Sequence, residues 1–563
     1  MAVARGGAAM TQREDTPVGT VRGPGDSAHE YVFVTQDPEQ RVGYGEFVTY
    51  RALADGEERA IFGRVSARVP ERRYPVGLLA APGAPPDEIA AMLGYDADLG
   101  GTELDAVTAT VLGYHDAALG EFVNPRCPPR QGMPVRIAGD AELMAVLGSR
   151  RRGEVGSAEV GSLLSRPQGA VPIVLDVRAI TSTHLAIIAG TGSGKSYLAG
   201  VLLEEMLQPW NRAAVLVIDP HGEYGTLDRL ADCEALRGDD GYRPEARIVH
   251  PGDIRVKLCS LQRGDFRYLM PEMSERMFHV LEEAIRRLER ERRGAWTLDD
   301  LLRAVEGSDP TERGEPGMTA FALHWRLKST FRDATDIFSD HENLRLDDLF
   351  APGRCTVLQL NEVDHRAQQA VVATLLRRLY AARMRTHRGQ ADEDGADYLP
   401  FPVFTLIEEA HNFAPASGDG IATGILKTIL GEGRKFGVGV GLISQRPGRL
   451  DGDALSQCMT QFLLRIVNPL DQESVSRAVE GVGRDLLREL PALSKGQALM
   501  AGRAVNTPVL CRVRQRLTPH GAEDPDAPAA WVEYHRRAAQ EEQRKLALPG
   551  AAARVTPRSP FRT

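Results

Sequence analysis

The sequence has no long apolar run, few cysteines and no excess of basic residues, and each lack removes a class of function. No stretch approaches the roughly 18 apolar residues that cross a bilayer, so an integral helical membrane protein is not expected. The opening residues, MAVARGGAAMTQRED, hold no hydrophobic segment and turn polar at Thr11, so they do not read as a secretory signal. Six cysteines (Cys127, Cys233, Cys259, Cys355, Cys458 and Cys511) lie far apart, with no CxxC pair and no histidine at metal-ligand spacing. They read as thiols of a reducing cytoplasm, and neither a disulfide framework nor a structural zinc is expected. Lys and Arg number 68 against 77 Asp and Glu, a net charge of −9. A basic coat for nucleic acid is therefore absent, although a local basic channel is compatible with that balance. No D/E-x-K cluster follows a hairpin and no HNH-like histidine group occurs, so any cutting of nucleic acid needs another chain.

The remaining composition is that of an ordinary globular chain, 42% hydrophobic and 26% charged over 563 residues, a length that suggests several domains. Residues 1–15 are small and polar and read as disordered. Between 16 and 134, short apolar alternations such as YVFVT (Tyr31–Thr35), GEFVTY (Gly45–Tyr50) and AVTATVLGY (Ala106–Tyr114) suggest a small β-barrel or sandwich. From 135 the pattern becomes strand, glycine, helix. HLAIIAG (His184–Gly190), AAVLVIDP (Ala213–Pro220), ARIVHP (Ala246–Pro251), RCTVLQLN (Arg354–Asn361), PVFTLIEE (Pro402–Glu409), VGVGLISQ (Val438–Gln445) and FLLRIVN (Phe462–Asn468) read as strands. With helices between them, they imply an α/β fold whose parallel sheet is covered on both faces. Residues 264–349 interrupt this core (135–263 and 350–520) with helical periodicity alone, over Phe266–Arg293, Thr297–Glu306 and Met318–Phe338. The charge run Arg286–Arg292 there reads as a solvated face, with Glu282–Arg286 and Glu283–Arg287 at ion-pairing distance along a helix. Residues 521–563 read as a polar helix and a tail.

Ala189-Gly190-Thr191-Gly192-Ser193-Gly194-Lys195-Ser196 follows a strand and opens a helix, which is the setting of a phosphate-binding loop. Its glycines let backbone N–H groups curl around phosphate oxygens, and the helix N-terminus adds positive potential. Lys195 then falls on the β- and γ-phosphates, and the Ser196 hydroxyl on Mg²⁺. Gly190 to Gly194, Lys195, Ser196 and the adjoining Tyr197 are the candidate nucleotide contacts. Hydrolysis also needs an acid at a strand end and a base for the attacking water. FTLIEE supplies Glu408, expected at the metal, and Glu409, expected at the water. Asp219 is either a group behind these acids or a cap for the loop after its strand. Gln445, at the tip of the strand beside the acidic pair, is placed to sense the γ-phosphate. Arg434, in GEGRKFG, has no evident partner in its own chain and reads as either an arginine finger acting on a neighbouring subunit or a surface residue.

Taken together, AGTGSGKS (Ala189–Ser196), IDPHGEY (Ile218–Tyr224), LIEEAHNFAP (Leu406–Pro415), GEGRKFGVGVGLISQRP (Gly431–Pro447) and VNPLDQ (Val467–Gln472) resemble the HerA-type hexameric DNA translocases, relatives of the FtsK motor class. The resemblance runs from about Val18 to about Leu517. It implies a RecA-like P-loop ATPase core with a small N-terminal barrel of the HAS type and a helical-bundle insertion. It further implies a homohexamer that takes double-stranded DNA in its central channel and steps along it using ATP and Mg²⁺. On this likeness Lys195 and Ser196 hold the triphosphate and metal, Glu409 activates water, Gln445 senses the γ-phosphate and Arg434 reaches across the interface. Arg255, Lys257 and Arg263, near the insertion point, are candidate pore residues or ordinary surface charges. The partner implied is a NurA-type nuclease in DNA-end processing, or alternatively a Sir2-like or nuclease effector in phage defence, for which the ring would serve as an ATP-binding scaffold.

Overall fold

The computed structural model describes residues 16–547 apart from 28, 55, 72–103, 127, 149, 293–294, 309–316, 334–336, 396, 419, 480 and 522–525. The expected disordered start, the tail beyond 547 and Cys127 lie outside the described residues. The chain divides into two compact units, one ending at Pro519 and the other beginning at His520.

The first strands are β1 (Gly19–Pro24), β2 (Glu30–Thr35), β3 (Phe47–Ala54), β4 (Glu57–Pro70), β5 (Asp105–Asp116), β6 (Glu121–Val123) and β7 (Pro134–Ile137). They pair antiparallel in the order β2-β1-β7-β3-β4-β5, and β5 returns to β2. Six strands thus close into a barrel, which leaves no free edge, and β6 is a hairpin appended to β5. Alternation explains the closure: Tyr31 and Phe33 of β2 and Val107, Ala109 and Val111 of β5 all turn inward to one core with Val48, Tyr50, Ile61 and Val65.

The main sheet has eleven strands. Before the insertion come β8 (Ser157–Leu163), β9 (Pro172–Asp176), β10 (Leu185–Ile188), β11 (Val215–Asp219) and β12 (Glu245–Val249). Two short strands, β13 (Val256–Lys257) and β14 (Phe338–Ser339), pair across the base of the insertion. After it come β15 (Arg354–Gln359), β16 (Val403–Ile407), β17 (Val438–Ser444), β18 (Thr460–Leu463), β19 (Gln497–Gly502) and β20 (Val509–Val513). Their order is β12-β15-β11-β16-β17-β10-β18-β19-β20-β8-β9. The first seven run parallel, whereas β18-β19-β20-β8-β9 are joined antiparallel. The sheet is therefore mixed, not wholly parallel as expected. Burial on both faces shows in alternate residues of one strand: Leu185 and Ile187 join one core, Ala186 and Ile188 the other. Each such fully buried Leu or Ile contributes roughly 1.5–3 kcal/mol.

The insertion is helical, but its first expected helix is two. Arg263–Leu269 ends before Pro271, and a new helix spans Glu275–Arg292. Proline has no N–H and disfavours helical backbone before it, so a continuous helix cannot pass there. Helices Glu275–Arg292, Leu298–Glu306 and Met318–Lys328 pack on one another, with Val280, Leu281, Ala284, Ile285 and Leu288 buried on the first. On its outer face Arg286 pairs with Glu282 at 3.4 Å, while Arg287 pairs forward with Glu291 at 2.9 Å and not with Glu283. In the C-terminal unit Ala527–Ala547 is a helix with Trp531 and Tyr534 exposed. No helix among the described residues is long and apolar enough to cross a membrane.

Candidate nucleotide site

Parallel strands end on one edge of a sheet, and here that edge gathers the chemistry. β10 runs into the phosphate loop, β11 into Asp219 and Glu223, β16 into Glu408 and Glu409, β17 into Ser444 and Gln445, and β18 into Arg465. β17 lies between β10 and β16, with Ile188 opposite Ser444 and Ile407 opposite Leu442, so Gln445 stands between the loop and the acidic pair.

The loop is shaped by backbone demands. Gly192 and Gly194 have φ of 74° and 97°, values side chains rarely adopt, and Gly194 caps the helix Lys195–Met206. Gly190 N–H donates to the Arg465 carbonyl at 2.8 Å, and the Ser193 hydroxyl donates to the same oxygen at 3.1 Å. A Cβ at Gly190 would stand 2.9 Å from that oxygen, so only glycine fits. Thr191 Oγ1 donates to Gln445 Oε1 at 3.0 Å, tying the loop to the tip of β17. A cavity of about 380 Å³ adjoins Gly190–Ser193, with Arg446, Arg465 and Lys495 in its wall.

Lys195 is the centre of the acidic group. Its Nζ donates to Glu408 Oε1 and stands 3.2 Å from Glu409 Oε1 and 3.8 Å from Glu223 Oε2. Burial alone would lower the ammonium, but the three carboxylates hold it above its ordinary range. Glu408 is fully buried, and its second oxygen accepts the Tyr224 hydroxyl at 2.7 Å. Burial pushes Glu408 up to about 7 against the opposing pull of Lys195 and Tyr224. Burial also pushes Glu409 upward, but His411 and Lys195 outweigh it and hold that carboxyl below its usual value. Glu409 is buried, and the edge of the His411 ring stands 3.2 Å from its Oε2.

Asp219 acts as the cap of its loop. Its carboxylate accepts the N–H groups of His221, Gly222 and Glu223 on one oxygen and of Tyr224 on the other, at 2.8–3.3 Å. That turn delivers Glu223, which accepts the Ser196 hydroxyl, and Tyr224, which holds Glu408. Neither contact was anticipated from sequence; the only signal was that both residues fall within IDPHGEY. Glu223, and not Glu408, is thus the carboxylate on Ser196. Tyr197 turns its hydroxyl away to accept Arg516 N–H at 2.8 Å.

Arg434 lies apart from this group. It is exposed in the turn Gly433–Phe436, which leads into the start of β17. The length of that strand, roughly 3.3 Å per residue, separates it from Gln445 at the far end, so it cannot reach the phosphate loop of its own chain. Of the other cations, Arg255 pairs with Glu342 at 3.6 Å and Arg263 with Glu289 at 3.3 Å, and Arg255 and Lys257 line a separate polar cavity of about 1150 Å³.

An ammonium at the mouth of a phosphate loop, with a buried acidic cluster behind it, is equipped to hold a triphosphate and to take a proton from water. Residues 158–379 match the family model described as the central domain of helicase HerA. The DNA double-strand break repair helicase HerA of Pyrococcus furiosus is 30% identical over 461 residues, 74% of this chain and 79% of that one. A probable helicase of Methanocaldococcus jannaschii is 31% identical over 415 residues, covering 72% and 75%. Among solved structures, VirB4 of Thermoanaerobacter pseudethanolicus aligns with a TM-score of 0.46 at 15% identity, over 65% of this chain and 97% of that one. Identity at this level along three quarters of both chains is a family relationship and more than a shared loop, and on it this chain is a P-loop ATPase of the HerA helicase family.

Proposed function

We propose that the chain is an ATP-driven motor that moves along double-stranded DNA, and unwinds it, as a homohexameric ring, acting with a separate nuclease in DNA-end repair. The observation that carries the hydrolytic part is the convergence of Lys195, Glu408, Glu409 and Glu223 on one loop, with the Glu409 carboxylate buried beside the ammonium. In this reading the triphosphate takes Lys195 over from the carboxylates, and the freed Glu409 accepts the proton of the attacking water. Gln445, fixed by Thr191, faces the γ-phosphate. Arg434, exposed and out of reach of its own site, serves the next subunit.

The residues present suit Mg²⁺. The donors beside the loop are hard oxygens, Ser196 Oγ and the Glu223 and Glu408 carboxylates, and the described residues hold no cluster of three or more His, Cys, Asp or Glu that would bind a metal alone. That is the pattern for an ion held by one or two carboxylates and completed by phosphate. Bound there, Mg²⁺ would neutralise charge developing on the phosphate oxygens. The DNA part rests on the relatives, which are named as DNA double-strand break repair helicases. The test is displacement of a third strand from a linear triplex-bearing duplex. Displacement that needs ATP and is lost in Lys195→Ala supports the motor. ATP turnover without displacement would favour a ring that organises an effector, of nuclease or Sir2-like type, with little productive movement.

A further inference from the structure

His411 joins the ends of two neighbouring strands. Its Nδ1 stands 3.2 Å from Glu409 Oε2, just past the end of β16, and 3.2 Å from Ser444 Oγ, the last residue of β17. Ser444 Oγ also accepts Arg446 N–H at 3.1 Å, which fixes the hydroxyl oxygen from its other side. Glu409 itself is left-handed, with φ 48° and ψ 49°. A non-glycine residue keeps that conformation only where its surroundings over-determine it. Those surroundings are Lys195 on Oε1 and the imidazole edge beside Oε2. A carboxylate oxygen so close selects the tautomer with the proton on Nδ1, because a ring lone pair facing it would repel it.

We infer that His411 is a positioning residue for Glu409. Anchored on Ser444, its Nδ1–H sets where the carboxylate stands and leaves Oε2 directed at the place the attacking water must occupy. The imidazole neither gives nor takes a proton in the reaction. The same link places the base relative to the phosphate loop by a second route besides Lys195, because Gln445, next to Ser444, is held by Thr191 of that loop. This inference rests on the reading of Glu409 as the water-activating group.

The test compares His411→Ala, His411→Asn and Glu409→Gln, singly and combined, as full-length protein whose oligomeric mass is checked, reading steady-state ATP turnover and the affinity for a fluorescent ATP analogue. His411→Ala should lower kcat roughly ten- to a hundredfold, the scale expected for a misplaced catalytic group, while analogue affinity stays near that of the parent. His411→Asn, whose amide N–H reaches the position of Nδ1, should recover much of that loss. Adding His411→Ala to Glu409→Gln should cost nothing further. Parental turnover in His411→Ala, no recovery with Asn, affinity falling in step with turnover, or a further loss in the Glu409→Gln background would each overturn the inference. Undiminished turnover in Glu409→Gln alone would remove the base and the inference together. Loss in Glu409→Gln beside a normal His411→Ala would strike the inference only.

Discussion

At the scale of single residues, the site is decided by which carboxylate faces which group. Glu409→Gln keeps shape and removes the proposed proton acceptor, so it should bind ATP and turn it over about 10²–10⁴ times more slowly, read as analogue affinity against kcat. Near-normal turnover would move the base elsewhere. His184 supplies a pH-dependent stability prediction away from the chemistry. Burial lowers it from 6.5 to about 4, and its Nδ1 accepts Val440 N–H at 3.1 Å. The unfolded chain therefore binds a proton between those values that the folded chain does not, so the stability His184 confers is whole above pH 6.5 and is lost as pH falls toward 4, by about 3 kcal/mol. His184→Asn keeps an acceptor and cannot titrate, so its Tm should fall less between pH 7 and pH 4.5. Lys195 and Ser196 were legible because a phosphate loop is contiguous in sequence and its spacing is its geometry. Glu223, Tyr224 and His411 were not. Their partners are Ser196, Glu408 and Ser444, on other strand ends, and only the sheet order brings them together.

At the scale of elements, the phosphate-loop helix is clamped from behind. Glu204, fully buried on Lys195–Met206, accepts the N–H groups of Leu517 and Thr518, the Thr518 hydroxyl and Arg514 Nη1, all within 3.0 Å. Glu205 takes the other arm of Arg514 at 2.8 Å. Removing one partner of such a group strands the rest, so Glu204→Ala should cost about 3–5 kcal/mol. The result should appear as a lower Tm together with faster hydrogen exchange at Leu517 and Thr518; exchange unchanged at those amides would deny the clamp. Sequence periodicity identified the parallel strands because each is a short apolar run buried on both faces. It passed over β8, β9, β19 and β20, which carry the antiparallel half of the sheet. GSL in β8 and the polar flanks of β19 and β20 dilute the apolar signal, and the pairing of β8 with β20, from Leu163 with Cys511 to Gly161 with Val513, leaves no local trace. The break at Pro271 was written in the sequence, but the helical periodicity on either side outweighed it.

At the scale of the whole molecule, the barrel and the ATPase core are joined by buried charge. Arg64 on β4 donates to the Pro508 carbonyl at 3.0 Å and pairs with Asp485 at 3.3 Å, and Arg166 pairs with Asp140 at 2.9 Å and with Glu46. The N-terminal alternation was enough to expect a barrel or sandwich; closure of β5 on β2 is a long-range pairing that only the structure settles. Arg434 belongs to this scale, since it is exposed and lies at the far end of β17 from its own phosphate loop. Rings mixed from Arg434→Ala and Glu409→Gln subunits should recover part of the activity that each lacks alone, because some interfaces then combine an intact base with an intact arginine. Verified mixed rings with no recovery would place Arg434 outside the reaction. The most direct measurement is steady-state ATP hydrolysis with and without linear duplex DNA, on protein whose oligomeric mass is measured in the same buffer. A DNA-translocating ring predicts strong stimulation on a hexamer, abolished by Lys195→Ala and Glu409→Gln. Hydrolysis indifferent to DNA, or full activity in a monomer, would contradict it.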